Sequence, residues 1–218
     1  MSGIWLGIDT TSSVGSVALL KDGLLLTESI LPVTGFHSEK ILPAVKKALK
    51  DSGVSGCDLS GIGVSLGPGS YTGLRIGLAT VLGLASGWEV PVKGVSTLRI
   101  IAAALPEGPV FASVRARNGE VFAGAFSSPD PLSQEILPQS LYSSQVLEEL
   151  LSKRIFSAAG SGRSEISSPG LRWVHPVMDL PRSSFAAFCA CALAERDGFD
   201  RDIEPLYLRK FNQRISPE

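Results

Sequence analysis

The stretch that decides the fold is IWLGIDTTS, residues 4–12, near the start of the chain. Ile4 to Ile8 is continuously apolar, as in a strand that is buried on both faces, and a polar run follows it. A second apolar run, Val14 to Leu20, comes next, and Asp22-Gly23 predicts a tight turn into a third strand, Leu24 to Ile30. Three strands in immediate succession exclude the β-α-β start of a dinucleotide-binding fold.

Beyond this hairpin the sequence alternates between helical and extended patterns. Apolar residues recur at helical spacing from Ile41 to Leu49, while lysines take the other face. We expect a helix over residues 38–50, a strand over 62–66, a helix over 71–86, a strand over 91–95 and a helix over 97–105. The first half is therefore predicted to be α/β, with the order β-β-β-α-β-α-β-α.

The alternation breaks around residues 106–109, Pro-Glu-Gly-Pro. We place a domain boundary there, between residues 1–106 and residues 107–218. The second half has shorter and less regular patterns. We expect strands over 110–115, 121–126 and 155–159, loops over 127–138 and 164–172, and helices over 146–151 and 185–194.

Composition limits the classes of function. The 218 residues are 44% hydrophobic and carry a formal net charge of -1, which argues against a large direct nucleic-acid footprint, so any nucleic-acid contact is expected to run through a partner. The three cysteines form no Cys-x-x-Cys motif and are expected to be reduced thiols. The longest uncharged apolar run, between Arg75 and Glu89, is too short to span a membrane, and no signal peptide is recognisable, so we expect a cytoplasmic protein.

Two loops are candidates for holding a phosphate. One follows the first strand and offers amides, hydroxyls and an aspartate that can hold a metal ion or its water. The other leaves the strand over 62–66 and enters a helix N-terminus, where free amides and the helix dipole favour an anion, although it is not a Walker loop. Both are also ordinary turn sequences. The candidate residues are Asp9, Thr10, Thr11, Ser12, Gly67, Gly69 and Ser70.

The helix over 71–86 contains glycines that a turn does not explain. Gly73, Gly77 and Gly83 each cost roughly 1 kcal/mol relative to alanine in a helix interior. Gly73 and Gly77 fall on one stripe with Thr80 and Leu84, and such small residues let another backbone approach closely. Two partners stay open: the helix over 38–50 of the same chain, or another subunit.

The sequence offers no obvious catalytic centre. His37 and His175 are the only histidines, and they do not stand at metal-ligand spacing. No Gly-x-Ser-x-Gly elbow is present, and neither histidine has an evident serine or cysteine partner. We therefore assign no catalytic residue and no metal ligand, and a metalloprotease is not expected.

Several of these runs together resemble a known family. Residues 7–12 resemble the first phosphate loop of the actin-like ATPase and sugar-kinase superfamily. More specifically, the chain resembles the TsaB family of bacterial tRNA threonylcarbamoyladenosine biosynthesis proteins, formerly grouped with the glycoproteases. The runs that carry the resemblance are residues 37–43, 67–77, 91–98, 119–122 and 205–209, of which 67–77 is highly specific.

The resemblance implies a fold, a role and partners. The fold would be two ribonuclease-H-like subdomains, the second reduced. The role would be that of a non-catalytic scaffold or activator of the paralogue TsaD, which carries the metal and modifies the adenosine beside the anticodon, with the ATPase TsaE joining them. Alone, the chain is expected to form a homodimer. No cofactor is required, and ATP or ADP at the complex interface stays open.

The resemblance also implies that helices 38–50 and 71–86 contact TsaD. The residues expected at this interface are His37, Ile41, Leu42, Val45, Tyr71, Gly73, Leu74, Gly77, Leu78 and Val81. On this hypothesis, Gly77→Leu spoils the pairing and leaves the monomer folded.

Two positions separate this chain from catalytic paralogues. TsaD proteins carry a His-x-x-x-His metal pair where this chain has Thr97 and Ile101, and neither side chain replaces an imidazole ligand. The usual family run Asp-Ala-Arg reads Arg115-Ala116-Arg117 here, which disfavours a metal-nucleotide in the cleft. The alternative function is an ATP-dependent phosphotransferase of the sugar-kinase type, which requires a second phosphate loop. The run Ala158 to Gly162 is a weak candidate for that loop.

Overall fold

The protein is known from a computed structural model that describes residues 2–32, 37–206 and 208, with residues 37 and 38 as backbone only. The described part contains two five-stranded sheets. Among the described residues, no helix has both the length and the apolar character that a membrane crossing requires. The elements of the first half are β1 (Ile4–Asp9), β2 (Val14–Lys21), β3 (Leu24–Pro32), α1 (His37–Asp51), β4 (Gly61–Ser65), α2 (Tyr71–Trp88), β5 (Val92–Val95) and α3 (Thr97–Ala103).

The first sheet has the strand order β3-β2-β1-β4-β5. The first three strands are antiparallel, while β4 runs parallel to β1 and β5 parallel to β4. Leu6 and Ile8 on β1 face α1 and α2, whereas Trp5 on the same strand faces a helix at the far end of the chain. This burial on both faces explains the continuous apolar run of the central strand.

The second sheet repeats the first in its connectivity. Its elements are β6 (Val110–Arg115), β7 (Glu120–Phe126), β8 (Glu135–Ser143), α4 (Ser144–Leu151), β9 (Phe156–Gly160), β10 (Leu171–Trp173) and α5 (Ser183–Asp197). The order β10-β9-β6-β7-β8 again joins three antiparallel strands to two parallel ones. The predicted α/β fold of two ribonuclease-H-like subdomains is therefore confirmed. The reduction of the second lies in its helices, since a short 3-10 turn, Ser161–Glu165, stands where the first has α2.

The two subdomains exchange their last helices. Leu98 and Ile101 of α3, which follows the first sheet, pack against Val110 and Phe126 of the second sheet. Helix α5, which follows the second sheet, packs against β1, β2, β4 and β5 of the first. A division at residue 106 therefore misplaces α5, because its apolar face is covered by the first sheet rather than by its own.

Glycines on two neighbouring strands allow α5 to approach the sheet closely. A Cβ at Gly7 would lie 1.9 Å from the Ser183 carbonyl oxygen, and one at Gly63 would lie 2.7 Å from the Ala186 carbonyl oxygen. The facing surface of α5 is rich in alanine. Small residues on both sides thus bring helix and sheet backbones together.

Two strands of the second half were not expected. β8 begins at Glu135, inside the predicted loop over 127–138, and it contains Pro138. Proline is tolerated there because β8 is an edge strand, where a ladder donor can be missing. β10 covers only Leu171–Trp173, which is too short to produce a recognisable alternation.

We expect Gly7→Ala to destabilise the protein by about 3 kcal/mol or more, because the new methyl group meets backbone that cannot move aside. Urea unfolding measures the change. The control is Gly87→Ala, since a Cβ at Gly87 has no neighbour within 4 Å and should stabilise α2 by up to about 1 kcal/mol. Equal effects of the two substitutions would contradict the packing described for α5.

Candidate functional site

A cleft separates the two subdomains and consists of three adjoining cavities. The innermost, of about 220 Å³, lies between Thr11 and Asp179. The middle one, of about 510 Å³, lies between Ser12 and Ser161. The outer one, of about 490 Å³, lies at the mouth of the cleft beside Tyr71. The loop after β1 therefore lines the cleft, as its candidate role requires.

Asp9 ends β1 and is completely buried. The Thr11 hydroxyl donates a hydrogen bond of 2.8 Å to Asp9 Oδ1, while Asp9 Oδ2 has no hydrogen-bond partner among the described residues. Burial raises the pKa of the Asp9 carboxyl to about 6, and the neighbouring hydroxyls of Ser65 and Thr11 limit the rise. The carboxyl is thus a desolvated group that is costly to ionise.

The loop after β1 packs directly on α2 through Thr10. Thr10 Oγ1 donates a hydrogen bond of 2.7 Å to the Gly73 carbonyl oxygen. A Cβ at Gly73 would lie 2.0 Å from the Thr10 carbonyl oxygen, and one at Gly77 would lie 2.2 Å from Thr10 Oγ1. The partner that these two helix glycines admit is therefore neither α1 nor another subunit, but the chain's own first loop.

The two candidate phosphate loops are joined by the same packing. The Ser70 amide donates to the Thr11 carbonyl oxygen at 2.7 Å, and a Cβ at Gly69 would lie 2.3 Å from that same oxygen. Gly67 adopts a positive φ of 100°. The structure brings the seven candidate residues together at one edge of the first sheet, although much of their polar capacity is used between the loops.

Several residues expected at a partner interface lie inside the chain. Ile41, Val45, Leu74, Leu78 and Val81 are buried in the core of the first subdomain. Their assignment to the interface is corrected, because a residue enclosed by its own fold presents no surface to a partner.

The remaining expected residues differ in their exposure. Leu42 and Tyr71 are exposed, so they stay interface predictions. Gly73 and Gly77 face Thr10, and the expectation that Gly77→Leu leaves the monomer folded is wrong for the same reason. The side chain of His37 lies outside the described residues.

Helix α2 presents a different set of residues to solvent. The exposed side of the helix carries mainly small residues and a leucine, together with Arg75, and a Cβ at Gly83 would have no neighbour within 4 Å. Packing within the chain therefore does not offset the cost of Gly83. This outward face consists of Arg75, Ala79, Leu82, Gly83 and Ser86. The sequence signal for it was Gly83 itself, which lies off the stripe that Gly73 and Gly77 share.

Helix α1 lies next to α2 and adds a basic border to this surface. Leu42 is 41% exposed. Lys46 and Lys50 are exposed, as is Lys47, which forms an ion pair with Asp51. The two helices together thus offer an apolar strip that is bordered by positive charge.

The run Ala158 to Gly162, the weak candidate for a second phosphate loop, is partly bonded within the chain. The Gly160 amide donates to Asp179 Oδ1 at 2.9 Å, and Arg163 forms an ion pair of 2.8 Å with the same oxygen. Ser161 Oγ accepts a hydrogen bond of 3.0 Å from the Arg115 amide. These bonds occupy the Gly160 amide, which disfavours a phosphate at that position.

The positions at which the resemblance places the metal pair of TsaD lie in the innermost cavity. Thr97 and Ile101 line it, and both are buried. Thr97 Oγ1 has no hydrogen-bond partner among the described residues. Across the ranges that the structure describes, no group of three His, Cys, Asp or Glu side chains is arranged to hold a metal ion.

Comparison with known protein families gives a match over more than half of the chain. The family model described as "TsaD: tRNA N6-adenosine threonylcarbamoyltransferase" matches residues 33–155.

Curated relatives carry the name tRNA threonylcarbamoyladenosine biosynthesis protein TsaB. The protein from Bacillus subtilis is 34% identical over 151 residues, which are 68% of this chain and 66% of that protein. The protein from Escherichia coli K12 is 42% identical over 121 residues, which are 54% of this chain and 52% of that protein. The matched part of the chain thus spans about half to two thirds of the length of these relatives.

Solved structures extend the likeness to nearly the whole chain. YeaZ from Pseudomonas aeruginosa superposes with a TM-score of 0.79 at 25% identity, over 95% of this chain and 100% of that one. A second structure, an uncharacterized Pseudomonas aeruginosa protein with similarity to the peptidase YEAZ, gives a TM-score of 0.81 at 26% identity, over 96% and 100% of the two chains.

We expect Asp9→Asn to stabilise the protein at neutral pH. The folded pKa of about 6 exceeds the ordinary value of 3.8, so the folded state binds more protons between these values and stability falls as the pH rises through that window. The loss is at most about 3 kcal/mol and persists above pH 6. Thermal unfolding from pH 3.5 to 8 should show a gap between variant and parent that opens with rising pH.

The control for this measurement is Asp202→Asn, which changes an exposed aspartate. It should leave the pH profile of thermal unfolding unchanged. A pH profile for Asp9→Asn that parallels that of the parent chain would contradict the assignment of a raised pKa to Asp9.

A double-mutant cycle tests the contact between Thr10 and Gly77. Gly77→Ala alone should destabilise by about 1–3 kcal/mol because of the overlap with Thr10 Oγ1. In a Thr10→Ala background the added methyl group finds room, so the double variant should be more stable than the sum of the single effects by about 1 kcal/mol or more. Additive free energies of unfolding would show that the two residues do not meet.

Proposed function

The chain belongs to the TsaB proteins within the family that the TsaD model describes, and on this premise we propose that it serves as a non-catalytic subunit in making threonylcarbamoyladenosine in tRNA. In this role it supports the transferase TsaD, with the ATPase TsaE as the third component. The main support for this proposal is the outward face of α2. The modified adenosine is the one next to the anticodon.

The outward face is suited to another helix rather than to solvent. Gly83 and Ala79 leave room for a backbone to approach, and Leu82, 44% exposed, gains from being covered. A glycine with open space around it costs about 1 kcal/mol of helix stability in the monomer, and a close partner offsets that cost. TsaD is our proposed partner, and a second copy of this chain covers the same face when TsaD is absent.

The cleft supports an accessory role more than a catalytic one. Thr97 and Ile101 stand where the resemblance implies imidazoles in TsaD. Asp179 accepts the hydrogen bond of the Gly160 amide, which a second phosphate loop would have to offer to a phosphate. These observations disfavour the sugar-kinase type of phosphotransferase. The proposal requires no cofactor on this chain, and ATP or ADP at the interface with TsaD stays a prediction.

Reconstitution tests the proposal. The chain is combined with TsaD and TsaE of the same organism, a threonylcarbamoyl-adenylate donor and unmodified tRNA, and the modified adenosine is quantified with and without the chain. Dependence on the chain, together with co-elution with TsaD, is the expected result. Equal modification without the chain, and no complex on the sizing column, would rule the accessory role out.

We predict that Gly83→Arg abolishes co-elution with TsaD while the monomer stays folded. The arginine Cβ enters open space, and replacing the helix glycine should raise the stability of the monomer by up to about 1 kcal/mol. The control is Glu149→Arg, which makes an exposed change of charge on α4 and should co-elute normally. If Gly83→Arg still co-eluted with TsaD, the outward face of α2 would not be part of the interface.

A further inference from the structure

Two arginines line the outer cavity at the mouth of the cleft. Arg115 and Arg117 stand at the turn between β6 and β7, where Asn118 and Gly119 adopt positive φ values of 58° and 71°. Arg115 bonds Glu165 through its Nε at 2.9 Å, which leaves both terminal amino groups free of described partners. Arg117 is exposed and has no ion pair among the described residues. Four guanidinium amino groups are thus available to an anion.

Helix α2 supplies donors on the opposite side of the same cavity. Its N-terminus begins at Tyr71, and the amides of Tyr71 and Thr72 have no acceptor within the helix. The Ser70 hydroxyl is used by the Gly73 amide at 3.2 Å. Over 18 residues the helix dipole adds positive potential at this end. The arginines and this end of the helix thus face the same cavity.

Aromatic rings lie beside these donors. Tyr71 is 56% exposed and Phe122 is half-buried, and both line the cavity. Arg75 stacks over the Tyr71 ring with its guanidinium carbon 4.0 Å from the ring centroid. Hydrogen-bond donors to phosphate that alternate with exposed aromatic rings are typical of sites that bind unpaired nucleotides.

We propose that this outer cavity binds single-stranded RNA directly, with a phosphodiester between the two arginines and the N-terminus of α2 and an unstacked base against the Tyr71 ring. An RNA strand fits better than a free nucleotide, because the arginines are spread along an open rim and a small ligand requires an enclosing pocket. The proposal rests on the proposed function only for the choice of RNA, the anticodon loop of tRNA.

The positive charge at this cavity stands against the slightly negative net charge of the whole chain. The chain has a net charge of -1, and Glu120 lines the same cavity. Non-specific attraction along the surface is therefore weak, and binding depends on the few contacts at this place. The net charge, from which contact with nucleic acid only through a partner was expected, does not describe how charge is distributed, and Arg115 and Arg117 both line this cavity.

Fluorescence anisotropy of a labelled anticodon stem-loop RNA, titrated with the full chain, tests the proposal. We expect Arg117→Gln to weaken binding by about fivefold and to lower the slope of log Kd against log salt by about 0.7, the amount for one phosphate contact. Tyr71→Leu should weaken binding without changing the slope. The control is Arg172→Gln, which removes an exposed arginine on β10 and should bind as the parent does.

Three results would overturn the proposal. The first is no RNA binding up to about 1 mM protein, an order of magnitude above the usual non-specific range, and the second is equal weakening of RNA binding by Arg172→Gln. The third is displacement of the RNA by ATP at micromolar concentration, which would assign the cavity to a free nucleotide. Loss of this proposal leaves co-elution with TsaD and dependence of the modification on the chain intact. RNA binding by a chain that the modification does not need would refute the proposed function alone.

Discussion

The contact between Thr10 and the glycines of α2 determines how the rest of this molecule is arranged. It fixes the loop after the central strand onto one side of the helix at backbone distance. That side can then take no part in binding another protein, so the opposite side, with Ala79 and Gly83, is what remains for a partner. One contact thus separates an inner face, which closes the cleft, from an outer face, which is free.

The same contact joins the two loops that line one side of the cleft. The Ser70 amide of the second loop is bonded to the Thr11 carbonyl oxygen of the first, and Asp9 is buried with a raised pKa. On the other side, Asp179 holds the amide that a second loop would present. These bonds use part of the hydrogen-bonding capacity of the cleft loops within the chain itself.

The order of elements in the first half was predictable, because each strand and helix there has a clear period of its own. The helix glycines also signalled a close approach through their energetic cost, but local sequence does not say which backbone approaches, and the answer, Thr10, lies 63 residues from Gly73. The packing of α5 on the first sheet could not be predicted for the same reason. β10 could not be predicted because three residues are too few to show a period. The cluster of arginines at the cleft mouth was not predicted because a net charge does not show where the charges lie.

Hydrogen–deuterium exchange of the chain with and without TsaD is the most direct test of the account. The central claim is that the outward face of α2 is the surface that a partner covers. Slower exchange over α1 and α2 on adding TsaD, with β9, β10 and α4 unchanged, is the predicted result. Protection confined to the cleft loops or to the second sheet, with α2 exchanging as in the free chain, would contradict it.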